Sequence, residues 1–220
     1  EQLKELIQTI YQYFDCSHVK EFCVEAGRPD SITREKLMVL KECGVERISI
    51  NPQSMNDETL KAIGRQHSVQ KIKEAFAIAR DVGFKTINMD IILGLPGEGL
   101  EHLRNTLKEI EALQPENLTV HSLALKRAAR LNIEKESYLS AINESPEAMM
   151  KEAESMARKM DMAPYYLYRQ KNMAGNLENV GYAKEGHTGL YNILIMEEKQ
   201  TIVGAGAGAM TKYVVSENEI

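Results

Sequence analysis

The spacing of apolar residues along the chain alternates between two periods. An apolar residue every three or four positions is typical of amphipathic helices, and this spacing predicts helices over residues 2–14, 34–43, 56–63, 69–83 and 100–113. Short runs rich in Ile, Val and Leu predict strands over residues 19–26, 46–50, 86–93 and 117–123. Strand and helix therefore alternate, which indicates a parallel α/β sheet.

Residues at the predicted helix ends support this assignment. Thr33, Asn56 and Ser68 each stand where an N-cap side chain can accept a first-turn N–H. Gly44 and Gly83 each stand just past a helix and just before a strand, the usual place for a C-terminal glycine.

Polar residues occupy a single face in three of the four predicted strands, since side chains alternate between faces. The opposite face carries apolar residues that suit contact with a helix layer. Closed barrels fill their interior with branched apolar side chains, so we expect instead a partial, open parallel βα barrel with a polar interior. The alternative is that the polar face simply meets solvent at a sheet edge. The polar positions are Glu21, Cys23 and Glu25, then Arg47, Ser49, Asn51 and Gln53, then Asn88 and Asp90.

Beyond residue 123 the pattern weakens. Residues 126–130 form a short basic cluster, and residues 131–162 have the composition of a charged helix. Apolar runs at 164–168 and 191–196 predict two further strands, and residues 204–209 predict a loop of small residues. We expect a single domain over residues 1–220, with a core at 1–124 and a more irregular extension at 125–220.

Charge and cysteine content narrow the class of protein. The chain has 220 residues, and its net charge of −5 comes from charges of both signs spread along it, which argues against a nucleic-acid partner. No apolar run is long enough to span a bilayer, and no signal peptide opens the chain, so we expect a cytoplasmic protein with no membrane partner. Cys16, Cys23 and Cys43 lack metal-type spacing, and we expect them to be small buried residues without disulfides.

Four polar residues stand at or just beyond predicted strand ends, where barrel active sites lie. They are Glu25, Gln53, Arg65 and Asp90. Arginine binds carboxylates in a bidentate fashion, and carboxylates pair with ammonium groups or ribose hydroxyls. The set suits a ligand such as S-adenosylmethionine, although composition alone does not single that ligand out. The structural alternatives are that Asp90 caps nearby backbone and that Arg65 forms a salt bridge at a helix end.

Several motifs carry a resemblance to a known family. The chain is similar, through most of its length, to the radical S-adenosylmethionine family of oxygen-independent coproporphyrinogen III oxidases, and most closely to the coproporphyrinogen dehydrogenase branch. Each motif is weak by itself, but their order and spacing are specific. Besides Glu25 at a strand end, they are ISINPQS at 48–54, LKAIGRQH at 60–67, NMDIILGLP at 88–96, YRQKN at 168–172, NLENVGYA at 176–183 and GAGAGA at 204–209.

The resemblance implies a role for several positions. It implies that Glu25, Gln53, Arg65 and Asp90 contact S-adenosylmethionine, and that Ala124 and Met210 touch the cofactor through backbone or packing. For Ala124 and Met210 the alternative is ordinary core packing. A porphyrinogen substrate carries several propionates, which need cations. The candidates for those cations are Lys126, Arg127, Arg130, Arg169 and Lys171, and the alternative is that they are only solvated.

The chain departs from the family in two respects, since it lacks both the cluster cysteines and the Gly-rich segment that follows the family's second strand. The family binds a [4Fe–4S] cluster through Cys-x3-Cys-x2-Cys, and no such triplet occurs here. We therefore expect a barrel truncated at the N-terminus, inactive by itself, whose longer parent holds the cluster and takes electrons from a donor protein.

The resemblance implies that this parent is a radical enzyme that decarboxylates propionates to vinyl groups in haem biosynthesis. Relatives that resemble haem chaperones offer an alternative without decarboxylation. A further alternative is an unrelated phosphate-binding barrel that uses the loop at 204–209.

Overall fold

The computed structural model describes residues 1–123, 145–169 and 178–215. Within these ranges, helices and strands alternate as the apolar pattern predicts up to residue 122. A short 3₁₀ helix at Pro29–Ser31 follows the first strand. The helices are α1 (Gln2–Tyr13), α2 (Arg34–Glu42), α3 (Asp57–Ala62), α4 (Val69–Val82), α5 (Leu100–Leu113), α6 (Pro146–Lys159) and α7 (Leu190–Glu197). The strands are β1 (Cys23–Gly27), β2 (Arg47–Ile50), β3 (Thr86–Leu93), β4 (Asn117–Ser122), β5 (Ala163–Tyr168) and β6 (Asn179–Ala183).

The six strands form one open sheet in the order β1-β2-β3-β4-β6-β5. Strands β1 to β4 are parallel neighbours in chain order, which confirms the predicted partial parallel barrel. Strand β6 is antiparallel to both β4 and β5, and the sequence pattern did not predict this antiparallel pair. Because β6 reverses direction between them, β5 runs in the same direction as β1 to β4.

The apolar face of the sheet carries the core. Ile87, Met89, Ile91 and Leu93 alternate along β3, and each is at most 3% exposed. Helices α2, α4, α5 and α6 supply the apolar side chains that pack in the same cluster. Met149 and Met160 are buried in this cluster, and Met150 and Met156 pack at its edge.

Helix ends follow the predicted capping in most places. The side chains of Thr33 and Ser68 accept the N–H groups of Lys36 and Lys71, respectively, and Gly83 ends α4 in the left-handed conformation with φ of 99°. Asn56 precedes α3 but makes no side-chain cap, because hydrogen bonds elsewhere occupy its amide.

Two of the predicted strands need correction. Residues 191–196 lie in helix α7 and not in a strand. The Glu21 carboxylate accepts the N–H groups of Leu190 and Tyr191 at 2.8 and 3.2 Å, so the cap of this helix comes from a distant residue that local spacing cannot reveal. Strand β1 begins at Cys23, four residues later than predicted from position 19.

The prediction that the cysteines are buried is also wrong. Cys23 is exposed, and Cys16 and Cys43 are half-buried; all three are free thiols. Cys23 lies on the polar face of the edge strand β1, which explains its exposure. Within the described ranges, no helix is both long enough and apolar enough to cross a membrane.

Candidate functional site

A hydrogen-bonded polar network covers the inner face of the sheet, opposite the helix layer. Ser49 on β2 donates to Asn51 Oδ1 at 2.7 Å. Asn51 Nδ2 in turn donates to Glu25 Oε2 at 3.3 Å. The alternation predicted for the first two strands therefore places Glu25 beside Ser49 on β2 and Asn51 just beyond its end.

Asn88 lies at the centre of this network. Its Nδ2 donates to Ser49 Oγ and to Asp90 Oδ1, both at 2.7 Å. Its Oδ1 accepts from the Thr119 hydroxyl at 3.1 Å. One amide thus connects polar side chains on β2, β3 and β4, which confirms that the polar faces of successive strands form one surface.

Two further residues complete the surface on the β4 side. His121 Nε2 lies 3.6 Å from Asp90 Oδ2, and His121 Nδ1 lies 3.2 Å from the Tyr168 hydroxyl. The sequence alone assigns no site role to Thr119, His121 or Tyr168, although Tyr168 opens the motif at 168–172. The signal was present, because Thr119 and His121 alternate with apolar residues on the predicted fourth strand.

The tyrosines of β5 form the far wall. The rings of Tyr166 and Tyr168 are parallel, with centroids 6.3 Å apart, and the Tyr166 hydroxyl lies 3.3 Å from Thr119 Oγ1. Burial is the main cause that raises the pKa of both phenols. The Tyr166 ring covers Gly181 so closely that a Cβ atom there would lie 1.8 Å from a ring carbon, so only glycine fits opposite this tyrosine.

Gln53 connects the end of β2 to β3 through its backbone. Its N–H donates to the Asp90 carbonyl, and its carbonyl accepts the N–H of Ile92, both at 2.9 Å. Gln53 has φ of 70°, a left-handed conformation that is uncommon for a residue other than glycine. Such strain persists only where the surrounding structure holds it, and it is frequent at functional sites.

A buried carboxylate holds the two loops next to Gln53. Glu98, in the loop after β3, is 8% exposed. Its Oε1 accepts from the hydroxyl of the fully buried Ser54 and from Asn56 Nδ2. This cluster fixes the loop after β2 to the loop after β3. Asn56 does not cap α3 because its Oδ1, the atom that would accept a first-turn N–H, accepts instead from Asn105 Nδ2 at 2.9 Å.

Arg65 lies in a second group of polar residues, beyond the end of β1. Asp30 forms an ion pair with Arg28 at 3.1 Å, and the buried ring of His67 lies 3.5 Å from the same carboxylate, at the outer limit of a hydrogen bond. Burial, and then the charge of Arg28, lower the pKa of Arg65. The Arg65 guanidinium is therefore a half-buried cation that faces another cation.

The opposite end of the inner face is closed by the segment before α7. Arg47 Nη1 and Asn117 Nδ2 donate to the His187 carbonyl at 2.7 and 2.8 Å, and Thr86 Oγ1 lies 2.8 Å from His187 Nδ1. A cavity of about 330 Å³ remains between this segment and the first two strands, and Glu21, Glu25 and Arg47 line it. The inner face therefore has a closed end near His187, and Glu25 reaches the cavity.

The structure brings some of the predicted site residues together and separates others. Glu25 and Asp90 share the inner face, and the Gln53 backbone pairs with that of Asp90. Met210 is 86% exposed, so it does not pack in the core. Arg169 is exposed and lies 3.4 Å from Glu178. The remaining predicted residues lie outside the described residues; they are Ala124, Lys126, Arg127, Arg130 and Lys171.

Of the two carboxylates Glu25 and Asp90, Glu25 is the one whose ionised form the surroundings disfavour. Surrounding protein atoms remove part of its hydration, and the charge of Asp90 adds to this, so the pKa of Glu25 is raised. The carboxylate remains accessible from the concave side of the sheet. Among the described residues, no Lys or Arg lies within ion-pair distance of Glu25 or Asp90. The pair can therefore receive a ligand that carries positive charge or several hydrogen-bond donors.

The side chains that suit a cationic ligand do not suit an iron–sulfur cluster. Cluster ligands are thiolates, and in the described part of the chain no three His, Cys, Asp or Glu residues converge as a metal site would require. Neighbouring protein atoms remove part of the hydration of the Cys23 thiol even though the residue is exposed, and this loss, followed by the charges of Glu21 and Glu25, raises its pKa and disfavours the thiolate. The three cysteines of this chain do not fit a cluster.

Comparison with known proteins agrees with this geometry. Residues 10–110 match the Radical SAM superfamily. Over 215 residues the chain is 49% identical to the oxygen-independent coproporphyrinogen-III oxidase-like protein HemZ of Bacillus subtilis, covering 97% of this chain and 43% of that protein. The matched residues are therefore part of a radical SAM domain. This confirms the family indicated by the motifs.

Two other relatives define the range of the similarity. The chain is 33% identical over 211 residues to the heme chaperone HemW of Bacillus subtilis, covering 95% of this chain and 52% of that protein. A solved structure of coproporphyrinogen III oxidase (HemN) from Escherichia coli superposes with a TM-score of 0.67 at 19% identity, over 96% of this chain and 48% of that one. The latter similarity concerns the fold alone. The radical SAM chain described here spans about half the length of these relatives.

The electrostatics of Glu25 predict a pH-dependent stability difference. Because the pKa of Glu25 is raised on folding, its ionised form destabilises the folded state, and this loss develops as the pH rises above the unfolded value of about 4.5. Glu25→Gln should increase the free energy of unfolding at about pH 7 by no more than about 1 kcal/mol, because water screens the carboxylate. The difference should vanish below about pH 4.

Urea unfolding across this pH range measures the difference. Glu185→Gln, on an exposed loop residue, is the matched control and should show no such trend. A Glu25→Gln protein that is less stable than the unsubstituted protein at neutral pH would contradict the electrostatic account.

Proposed function

We propose that this chain forms the S-adenosylmethionine-binding part of a radical enzyme that oxidatively decarboxylates the propionates of a coproporphyrinogen to vinyl groups. The observation that carries the proposal is the pair of Glu25 and Asp90 on one hydrogen-bonded polar face. The described residues supply no Lys or Arg at ion-pair distance from either carboxylate. S-Adenosylmethionine carries a sulfonium, an ammonium and ribose hydroxyls, all of which suit carboxylates.

Different residues in and around this pair would recognise different chemical groups of such a ligand. Glu25 and Asp90 accept from its ammonium and hydroxyl groups, and Gln53 adds an amide at the strand end. Arg65, a half-buried guanidinium among the described residues, binds a carboxylate. The resemblance to the family adds contacts from Ala124 and Met210. When bound, S-adenosylmethionine supplies the hydrogen-abstracting group of the reaction.

The cluster that the family implies has no ligand set in this chain. We place it in a part of the protein other than the residues of this sequence, together with the site that receives electrons from a donor protein. No step of the reaction is assigned to this chain through the cluster. The part assigned to this chain is to bind and orient S-adenosylmethionine and to hold one side of the substrate.

Cations beyond the strand ends would hold the substrate. Decarboxylation removes carbon dioxide from an ionised propionate, and the remaining propionates need charge-assisted hydrogen bonds to stay in place. Arg169 directly follows β5 and is exposed, with Glu178 as its neighbour. Arg127, Arg130 and Lys171 are the further candidates for this role.

A haem-binding function is the second candidate. It is favoured by the 33% identity to the heme chaperone HemW of Bacillus subtilis, which extends over 95% of this chain. Because this alignment includes the strands of the polar inner face, that face supports both functions equally. The phosphate-binding alternative has less support, because the loop at 204–209 leads into no helix within the described residues up to 215.

Turnover distinguishes the two candidates. Anaerobically prepared full-length protein, supplied with S-adenosylmethionine and a reductant, should convert coproporphyrinogen III to a product with fewer carboxyl groups, as measured by mass spectrometry. Stoichiometric binding of haem without any loss of carbon dioxide would show that the chaperone function is correct.

Substitution of two arginines separates the ligand sites. In the full-length protein, Arg65→Ala should weaken S-adenosylmethionine binding about tenfold, because it removes a charge-assisted contact. Arg169→Ala should raise the Michaelis constant for coproporphyrinogen III and leave S-adenosylmethionine affinity unchanged. Unchanged substrate kinetics in Arg169→Ala would mean that the propionates are held elsewhere.

A further inference from the structure

His121 connects two polar groups that lie on different strands. Its ring belongs to β4, and its side chain is 25% exposed. On one side, Nε2 lies 3.6 Å from Oδ2 of Asp90 on β3. On the other side, Nδ1 lies 3.2 Å from the hydroxyl of Tyr168 on β5. The three side chains form a carboxylate–imidazole–phenol series across the inner face.

The phenol and the carboxylate are compatible with one arrangement of protons on the imidazole. The Tyr168 hydroxyl, 3.2 Å from Nδ1, can donate to that nitrogen. An imidazole that accepts at Nδ1 carries a proton on Nε2. In that arrangement, the N–H group of His121 points toward Asp90.

Asp90 is in this way oriented from both sides. Asn88 Nδ2 donates to its Oδ1 at 2.7 Å, and the His121 N–H group faces its Oδ2. At 3.6 Å the second contact is electrostatic and not a hydrogen bond. It adds an attraction to the hydrogen bond from Asn88 and leaves Oδ2 able to accept from a ligand.

We propose that His121 is a positioning residue for S-adenosylmethionine: held by Tyr168, it orients the Asp90 carboxylate toward the ligand. This inference rests on the proposed function. It assigns a role to His121, which lies outside the family motifs, and to Tyr168, the first residue of the motif at 168–172. An imidazole that only filled space on β4 would affect stability and leave ligand affinity unchanged.

Equilibrium dialysis of labelled S-adenosylmethionine against anaerobically prepared full-length protein tests the inference. His121→Leu should weaken binding about tenfold, since a contact to a charged group is lost. His121→Gln should stay within about twofold, because its amide can present N–H to Asp90 and oxygen to Tyr168. Tyr168→Phe should weaken binding in the same direction by a smaller factor.

Matched controls exclude general effects of the substitutions. His18 is exposed and Tyr182 is buried in the helix-side core, so His18→Leu and Tyr182→Phe should leave affinity unchanged. In a protein that already carries Asp90→Asn, His121→Leu should change affinity by less than about twofold, because no carboxylate remains to be oriented.

Each outcome decides a separate point. Unchanged affinity in His121→Leu, or an equal loss with and without Asp90→Asn, would overturn the inference alone. Failure of the unsubstituted protein to bind S-adenosylmethionine would overturn the proposed function and the inference together. If His121→Leu does not fold, Tyr168→Phe decides, and unchanged affinity in that variant would overturn the inference.

Discussion

The side-chain amide of Asn88 connects the polar residues of three adjacent strands. It has hydrogen bonds of 2.7 Å to Ser49 and Asp90 and one of 3.1 Å to Thr119. An amide that donates twice and accepts once within one surface requires those neighbours to stay in register. The parallel pairing of β2, β3 and β4, and the packing of Ile87 and Met89 behind them, keep that register. The inner face therefore depends on the core directly beneath it.

The sequence predicted those parts of the fold that depend on local pattern. Alternation along β3 placed Asn88 and Asp90 on one face, and Ser68 and Gly83 marked both ends of α4. The sequence did not predict α7, because its cap comes from Glu21, which lies far away in the chain. It also gave no sign that Asn56 would bind Glu98 and not cap its own helix, since that choice depends on how two loops meet.

The candidate site was predictable to a similar extent. Glu25 and Asp90 could be placed together from strand parity, and the structure agrees. The alternation on the predicted fourth strand could have placed His121 on the inner face, but its contact with Tyr168 required the position of β5 across the antiparallel strand β6, which no local pattern supplies. The site also holds features that reduce stability: burial and the charge of Asp90 raise the pKa of Glu25, and Gln53 is in the left-handed conformation. Such features are expected where binding a ligand relieves them.

The central claim is that S-adenosylmethionine binds on the inner face of the open barrel. A crystal structure of the full-length protein with S-adenosylhomocysteine, which has the same ribose and amino acid groups, tests it most directly. We expect the ligand on the inner face, with at least one donor within hydrogen-bond distance of Asp90 or Glu25. A ligand bound on the helix side of the sheet, or with no contact to either carboxylate, would contradict the account.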